Sequence, residues 1–179
     1  DSVMQKSIII LFLFFVFNAE AKTWRVGSSQ QIKSIKGAIS KATAGDTILI
    51  YPGLYKEGQI ILTKKLFLKG INFPILDGEK KVEILTIRSD GTVVEGLHFR
   101  NSGHSSYNDI AALRIADSRS VTIRNNKVDF SYFGIYSQHA TACSISNNVL
   151  NSDAKDEISS GNGIHCWKSD SMLINGNDV

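Results

Sequence analysis

The 179-residue sequence has only two cysteines, two prolines and two methionines, and charged residues make up 21% of it. Two cysteines are too few for a small fold held together by disulfides. With 42% hydrophobic residues and an ordinary charged fraction, the composition favours a folded chain over a disordered one. The net charge of +3 is spread along the chain, so no concentrated basic region points to nucleic acid. Signatures of phosphate loops, zinc fingers and nucleophile elbows are absent.

Long hydrophobic runs are also scarce, and the one continuous run lies near the start, at Ile8–Phe17. It follows Lys6 and precedes Ala19-Glu20-Ala21, which has the small-x-small pattern of a signal-peptidase site. The run is about half of the roughly 20 residues that a membrane-spanning helix needs. We therefore expect residues 1–21 to be a cleavable signal peptide and the mature protein to work outside the cytoplasm. A retained signal anchor is the weaker alternative.

The last third of the chain repeats one pattern three times, beginning at Leu113, Ile135 and Ile164. Apolar and asparagine positions recur in register: Ile123, Ile145 and Ile174; Asn126, Asn148 and Asn177. The first step between repeats is 22 residues and the second is 29. A period in this range is typical of a solenoid in which each repeat is one supersecondary unit.

Short alternating apolar stretches bounded by Gly, Asp or Asn indicate β-strands rather than helices after residue 42. The predicted strands are Thr47–Tyr51, Gln59–Leu62, Leu66–Lys69, Ile75-Leu76, Val82–Ile87 and Thr92–Phe99. A period above 20 residues accommodates three short strands and three turns. The leucine and asparagine spacing of leucine-rich repeats is absent, and a sandwich or propeller would not keep so strict a register. The sequence therefore predicts an all-β fold, a right-handed single-stranded parallel β-helix.

One amphipathic helix is predicted before the strands, over Ser28–Ala42, with Ser28 or Ser29 as its N-cap and Gly45 just past its end. A single short helix at this place suits a cap that covers the open end of a solenoid core. The predicted organisation is therefore a signal peptide at 1–21, an N-terminal cap at 22–45 and β-helix coils at 46–179.

The repeat columns assign side chains to the inside or the outside of the coil, because neighbouring residues of a strand face opposite ways. Cys143 and Met172 share an inward column with Val121, and Cys166 shares one with Ile115. These slots call for apolar filler rather than for soft-metal ligands, and a disulfide between the two cysteines is not expected. The asparagine column predicts an amide ladder along the axis.

The outward columns and the insertions carry the candidate functional residues. Arg114, Tyr136 and His165 form one outward column, His139 lies at a strand-end turn, and His104 lies in the first of two seven-residue insertions. The seven extra residues of each insertion fall within Asn101–Ile110 and Asn151–Asn162. Both insertions are predicted to leave the same flank, which is often the binding face of a repeat protein.

Imidazole suits copper and zinc alike, so His165, His104 and His139 are candidate metal ligands. Arg114, Tyr136 and Trp167 form the predicted partner face. No catalytic residue is assigned, because no carboxylates are paired by column as polysaccharide cleavage would need. A secreted β-helix that binds or cleaves polysaccharide, with sugar held by Tyr136, Trp167 and Arg114, is the alternative function.

Several motifs together resemble the NosD family of nitrous oxide reductase maturation proteins. They are Ala38–Tyr55, Leu76-Asp77-Gly78, Val94–Gly103, Phe133–Tyr136 and Gly161–Trp167. The resemblance runs from about Lys36 to the last residue, and the first and last motifs are the most specific.

This resemblance implies a non-catalytic periplasmic component of an ABC transport system, with membrane and ATPase subunits as partners. It also implies work with a copper chaperone lipoprotein, to deliver copper for the copper–sulfur site of nitrous oxide reductase. The family's Gly-Asn-Gly-Ile-His motif matches Gly161–His165, so His165 is the first copper-handling candidate. Because family members continue for many more coils, the chain is expected to be the N-terminal fragment of a longer solenoid, with an unpaired edge that promotes association.

Overall fold

A computed structural model describes residues 20–105, 107–151 and 161–179 of the chain as a three-sided parallel solenoid. Residues 1–19 of the predicted signal peptide and most of the second insertion lie outside the described residues. Within the described part, every pairing between two named strands is parallel, which confirms the predicted β-helix.

Each coil contributes one strand to each of three sheets. Sheet A has seven strands: β1 (Thr23–Val26), β2 (Thr47–Ile50), β5 (Phe67–Gly70), β8 (Val93–Glu95), β11 (Thr122–Arg124), β14 (Ser144–Ser146) and β17 (Leu173–Asn175). Sheet B has five: β3 (Leu54–Tyr55), β6 (Ile75–Asp77), β9 (His98–Arg100), β12 (Lys127–Asp129) and β15 (Val149–Asn151). Sheet C also has five: β4 (Ile60–Leu62), β7 (Leu85–Ile87), β10 (Ala111–Ala116), β13 (Phe133–Gln138) and β16 (Ile164–Trp167).

The predicted strands are present, but two boundaries were wrong in an informative way. Thr92–Phe99 is two strands, β8 and β9, because the chain turns at Gly96 from sheet A to sheet B. Gly96 has a φ of 69°, and a Cβ there would lie 2.7 Å from the carbonyl oxygen of Gly70 in the preceding coil. Val82–Ile87 is a strand only from Leu85, and β1 was not predicted at all.

The helix was predicted correctly in kind but not in length. Helix α1 spans Ile35–Lys41, and its N-cap is Ser34, whose hydroxyl accepts the backbone N–H of Gly37 at 3.0 Å. The preceding residues instead form a turn closed by the backbone N–H of Gly27, which donates to Ile32. Ile35 and Ala38 of the helix are fully buried in the hydrophobic core, as a cap requires. No helix in the described ranges has the length and apolar character to span a membrane.

The repeat register of the sequence is the register of the sheets. Leu113 pairs with Ile135 and Ile135 with Ile164, while Ile123 pairs with Ile145 and then Ile174. Stacked aliphatic columns of this kind line the interior of all three sheets and form one continuous core. Because adjacent parallel strands lie about 4.8 Å apart, each side chain rests directly on its equivalent in the neighbouring coil.

The two cysteines share neither a disulfide nor a common environment. Both are free thiols, as predicted. Cys143 is buried in the core, and this burial raises the pKa of its thiol. Cys166 stacks on the buried Ser137 in the predicted inward column, yet it is exposed rather than core filler, which corrects the prediction. The reason is that Cys166 lies on β16, the last described strand of sheet C, so no described strand stacks on its far side. Met172 of that coil is half-buried against the core.

The asparagine column forms the predicted amide ladder at the bend between sheets A and B. The side-chain amide of Asn126 donates to the side-chain oxygen of Asn148 at 3.1 Å, and Asn148 donates to Asn177 at 2.9 Å. Each of these oxygens also accepts the backbone N–H of the residue one coil earlier. Asn126 and Asn148 are fully buried, so these bonds satisfy groups that water cannot reach.

Replacing the central ladder residue is expected to destabilise the protein strongly. Asn148→Ala leaves buried partners unsatisfied on both sides, at a cost of about 3 kcal/mol in unfolding free energy. The control Asn151→Ala removes an exposed amide bond to Asp129, and should cost no more than about 0.5 kcal/mol. Urea denaturation measures both, and equal effects would contradict a structural role for the ladder.

A second anchor holds the N-terminal strand and the helix end against the first coil. The buried carboxylate of Asp46 accepts the backbone N–H of Lys22 at 2.8 Å, the indole N–H of Trp24 at 2.9 Å and the backbone N–H of Thr43 at 2.8 Å. These bonds, that from Lys22 foremost, hold the pKa of Asp46 well below its ordinary value of 3.8.

Asp46→Asn is therefore expected to lower the thermal midpoint at pH 7. A carboxylate whose pKa is depressed by folding stabilises above its unfolded pKa, and this stabilisation is lost as pH falls below about 3.8. The difference from the wild type should accordingly narrow between pH 5 and pH 2 in calorimetric scans. The control Asp90→Asn changes an exposed carboxylate. A gap between wild type and Asp46→Asn that is constant over this pH range would contradict the assignment.

Candidate functional site

The candidate site is a groove of about 800 Å³ on the outer face of sheet C, named here the sheet C groove. Its floor is the outward column in which Arg114 pairs with Tyr136 and Tyr136 with His165. A parallel column places Gln138 beside Trp167. One wall is the first insertion, through Tyr107, Asn108, Asp109 and Ile110, and another part is the segment Lys81–Glu83 that leads into β7. The groove thus contains the whole predicted partner face.

Arg114 is the centre of the groove, and all three of its guanidinium nitrogens are engaged by the protein itself. Its Nε donates to Glu83 at 2.7 Å, one terminal nitrogen donates to the side-chain oxygen of Gln138 at 3.2 Å, and the other donates to the backbone oxygen of Asp109. The side chains of Arg114 and Glu83 are only 14% and 11% exposed. Arg114 thus joins three neighbouring segments of the groove, and its predicted partner-face role stays a prediction.

Tyr136 secures the first insertion from below. Its hydroxyl donates to the carboxylate of Asp109 at 3.2 Å, and its ring lies 4.4 Å from the guanidinium of Arg114. Burial, reinforced by Asp109, raises the pKa of Tyr136, so the phenol keeps its proton as the donor to that carboxylate. Although outward from the core, Tyr136 is nearly fully buried because the insertion covers it.

Aromatic rings continue from the groove floor toward the base of the second insertion. The rings of Tyr136 and His165 lie 4.8 Å apart, and Phe133 packs edge-on against both, at 5.4 and 5.6 Å. Tyr132 extends the cluster to His104, whose ring centroid lies 4.6 Å away. The two insertions both begin where a strand of sheet B ends, after β9 and β15, so their bases share one flank as predicted.

The three candidate histidines contact different neighbours. His165 lies in the groove, where its Nδ1 is 2.7 Å from the amide nitrogen of Asn162. His139 lies 3.3 Å from the carboxylate of Asp117 and packs 5.0 Å from Trp167. Among the residues that the structure describes, no group of three or more His, Cys, Asp or Glu side chains could hold a metal. The copper role of these histidines stays a prediction.

His139 lies at the turn that follows β13, as the repeat columns predicted. His139, Asp117 and Lys168 occupy equivalent turns after sheet C, and all three have left-handed backbones, with φ of 50°, 50° and 47°. Such single left-handed residues are what a sharp bend between strands requires.

Sequence reasoning missed Glu83 and Gln138, which complete the Arg114 network. Gln138 could have been found, since it stands two residues after Tyr136 on the same face and in register with Trp167. Glu83 precedes its strand, in a segment predicted to be part of the strand itself. Its contact with Arg114 in the following coil depends on where the chain bends, and no repeat column records that bend.

Removing one member of the buried ion pair is expected to be costly, because the other charge stays desolvated. Glu83→Gln should lower the unfolding free energy by about 3 kcal/mol. The double variant Glu83→Gln with Arg114→Met should recover most of that loss. The exposed pair Lys56–Glu79 provides the control, where Glu79→Gln should cost less than about 1 kcal/mol. The single variant Arg114→Met is measured as well. If the double variant loses as much unfolding free energy as the two single variants together, no coupling exists between the two side chains.

Comparison with known proteins identifies the fold family and a curated relative of this chain. The family model for the right handed β-helix region matches residues 60–179. A curated relative, the probable ABC transporter binding protein NosD of Pseudomonas aeruginosa (strain PAO1), is 28% identical over 124 residues, which cover 68% of this chain. The matched part is 29% of the relative's own length. The predicted similarity to a NosD-like β-helix protein is thus confirmed.

Solved structures that are similar to this chain include pectin methylesterases. A variant of one, crystallised in complex with a hexasaccharide, superposes with a TM-score of 0.54 at 17% identity, covering 84% of this chain and 67% of that one. The pectin methylesterase of Aspergillus niger gives a TM-score of 0.48 at 13% identity over 89% of this chain and 81% of that one. At these identities the first superposition speaks for the fold alone. The chain belongs to the right-handed parallel β-helix family and is similar to NosD.

Proposed function

We propose that this protein is an exported, non-catalytic binding scaffold of the NosD type. In this role it supports copper delivery and assembly of the copper–sulfur site of nitrous oxide reductase in the periplasm. Its partners are the membrane and ATPase subunits of an ABC transporter and a copper chaperone lipoprotein. Two things support the proposal: the curated relative is named as a probable ABC transporter binding protein, and the two carboxylates in the described lining of the groove, Glu83 and Asp109, are occupied by internal bonds.

The occupied carboxylates are the observation that carries the non-catalytic part. Glu83 accepts Nε of Arg114 at 2.7 Å and the hydroxyl of Thr86 at 2.5 Å, while Asp109 accepts the Tyr136 phenol. Polysaccharide hydrolysis needs one carboxyl group that protonates the leaving oxygen and a second that acts as nucleophile or base. In this proposal Glu83 and Asp109, which are bound by a guanidinium and a phenol, serve as fixed parts of the groove wall. The groove then holds a ligand or partner and does not change it.

Copper is cargo in this proposal, and the protein's own part is docking. His165 supplies one imidazole at the groove, oriented by Asn162 and by the Tyr136 ring. One imidazole is an incomplete copper site, so a transient complex would take its remaining ligands from the docked partner. This arrangement favours handing copper on, because a complete resident site would hold the ion more tightly.

Deletion of the gene in the source organism tests this function most broadly. The expected result is nitrous oxide reductase that accumulates with a reduced copper content and little activity, and that recovers when the wild-type gene is restored. Copper analysis of the purified reductase and its activity are the measurements. A fully copper-loaded, active reductase in the deletion strain would overturn the proposed role.

Cuprous ion competition titration of the purified protein tests the part assigned to His165. Wild type should retain a weakly bound cuprous ion, and His165→Ala should weaken this binding at least about tenfold. The matched control is His98→Ala, on the outer face of sheet B, where the imidazole lies 2.6 Å from Asp129. Equal effects of the two substitutions would remove His165 from the proposal while leaving the docking role to the deletion experiment.

A further inference from the structure

We propose that the N-terminal cap of the solenoid docks on an anionic lipid surface through lysine and arginine side chains. Six exposed residues at this end of the molecule form what is named here the cap surface: Lys22, Arg25, Lys33, Lys36, Lys41 and Lys65. The inference goes beyond the proposed function, because it assigns an interaction surface away from the sheet C groove and involves no copper.

Charge is divided between the two ends of the chain, so the expectation of an even spread is wrong. Residues 20–70, which hold the cap and the first coil, contain nine lysines and arginines against three aspartates and glutamates. Residues 71–179, counted with the second insertion, contain ten against thirteen. The first part therefore carries a net charge of +6 and the second a net charge of −3.

The three acids of the first part do little to offset its positive charge. Asp46 is only 1% exposed, and its carboxylate accepts N–H groups of the protein. Glu57 accepts the backbone N–H groups of Ile35 and Lys36 at 2.6 and 2.9 Å, at the start of the helix. Glu20 is exposed, but it belongs to the predicted signal peptide. The mature cap is thus expected to present mainly positive charge.

Backbone hydrogen bonds bring part of the cap surface together where sheet C turns into sheet A. The carbonyl of Lys22 accepts a backbone N–H at the start of β2, and the carbonyl of Lys65 accepts one from the turn before β2, both at 2.8 Å. The ammonium group of Lys64 reaches the carbonyl of Ala42, the residue after Lys41, at 2.5 Å. Lys22, Lys41 and Lys65 therefore lie at one corner of the cap.

Helix α1 covers the end of the core and turns its charge away from it. Ile35 and Ala38 are buried beneath the helix, whereas Lys36 is exposed on its outer side. Lys33 is exposed just before the N-cap, and Arg25 points outward from β1, the edge strand of sheet A. The charges are spread over a helix, a strand and turns. Such a spread matches the delocalised charge of a lipid surface.

The side chains of the cap surface form no ion pair with a carboxylate among the described residues. The later coils differ, because four of the five arginines after residue 70 pair with Asp or Glu: Arg88, Arg100, Arg114 and Arg124. Like charges gathered without counter-charges repel one another. An anionic surface relieves this repulsion, and each Lys or Arg held near it strengthens binding about fivefold.

The acids of the second insertion follow β15, the last described strand of sheet B, far from the cap. Four strand intervals of about 4.8 Å place β15 roughly 19 Å from β3 in the first coil. Charges at such a distance are largely screened at physiological ionic strength, where the Debye length is about 8 Å. The attraction between the cap surface and anionic lipid is therefore a local property of the cap.

Vesicle sedimentation of the protein in its exported form tests the inference. Vesicles of phosphatidylglycerol and phosphatidylethanolamine provide the anionic surface, and vesicles of phosphatidylcholine provide the neutral one. The protein should bind the anionic vesicles at least about tenfold more tightly than the neutral ones. Raising the salt concentration from about 0.05 M to about 0.5 M should weaken binding to the anionic vesicles at least about tenfold, because salt screens exposed charges.

The cap variant combines Lys36→Gln, Lys41→Gln and Lys65→Gln. It should bind the anionic vesicles about 100-fold more weakly, since three contributions of about fivefold are lost. Circular dichroism confirms that the variant folds.

The matched control combines Arg119→Gln, Lys127→Gln and Lys168→Gln, which remove three exposed cations from later coils. It changes the net charge by the same amount and should weaken binding less than about threefold. The inference is overturned if neutral vesicles bind as tightly as anionic ones, or if the control variant loses as much binding as the cap variant.

A short double-stranded oligonucleotide probes the other class of polyanion. If it binds more tightly than the anionic vesicles and through the same three lysines, the cap surface is a nucleic-acid site and the lipid assignment is overturned. Weaker binding of the oligonucleotide sustains the assignment. Because the assay contains neither copper nor the reductase, its failure would leave the proposed function standing.

Discussion

Parallel stacking in a single register is the constraint on which the rest of the molecule depends. Each coil repeats the backbone path of the previous one, so every side chain meets its own equivalent about 4.8 Å away. Inside the solenoid this gives aliphatic columns and the amide ladder of Asn126, Asn148 and Asn177. Outside, it converts residues that are 22 and 29 positions apart into neighbours in one row, namely Arg114, Tyr136 and His165. A slip of register would break both the interior columns and the outer row.

The candidate site, by contrast, is located where the register is interrupted. The seven extra residues of the first insertion carry Asp109 over the row, where it meets Arg114 and Tyr136. A smooth outer sheet face thereby becomes a walled groove. The guanidinium of Arg114 joins the coil before it, through Glu83, the coil after it, through Gln138, and the insertion. One buried charge pair thus holds the wall, the floor and the segment before β7 in a fixed relation, which is the pre-organisation that a binding surface needs.

The same distinction separates the features that the sequence predicted from those that it did not. Whatever repeats was predictable: the fold, the outward row and the inward slots of Val121, Cys143 and Met172. Whatever happens once was not. The turn at Gly96 divides a stretch whose alternation looks continuous, and the helix begins at Ile35 because Ser34 caps it, although the periodic pattern starts earlier. Cys166 satisfies its column and still lies exposed, because a column defines a direction and burial depends on the neighbouring coil.

The most direct test of this account asks whether the groove floor has the stated register. In a Cys166→Ser background, cysteines replace Gln138 and Trp167, which are direct partners across β13 and β16. Paired backbones at this spacing lie within the Cα separations that a disulfide spans. A second variant replaces Gln138 and His165, which are two residues out of register and about 8 Å apart by strand geometry, beyond disulfide reach. Mass spectrometry after mild oxidation should find the bond in the first variant and not in the second. The reverse result, or no bond in either, would contradict the account.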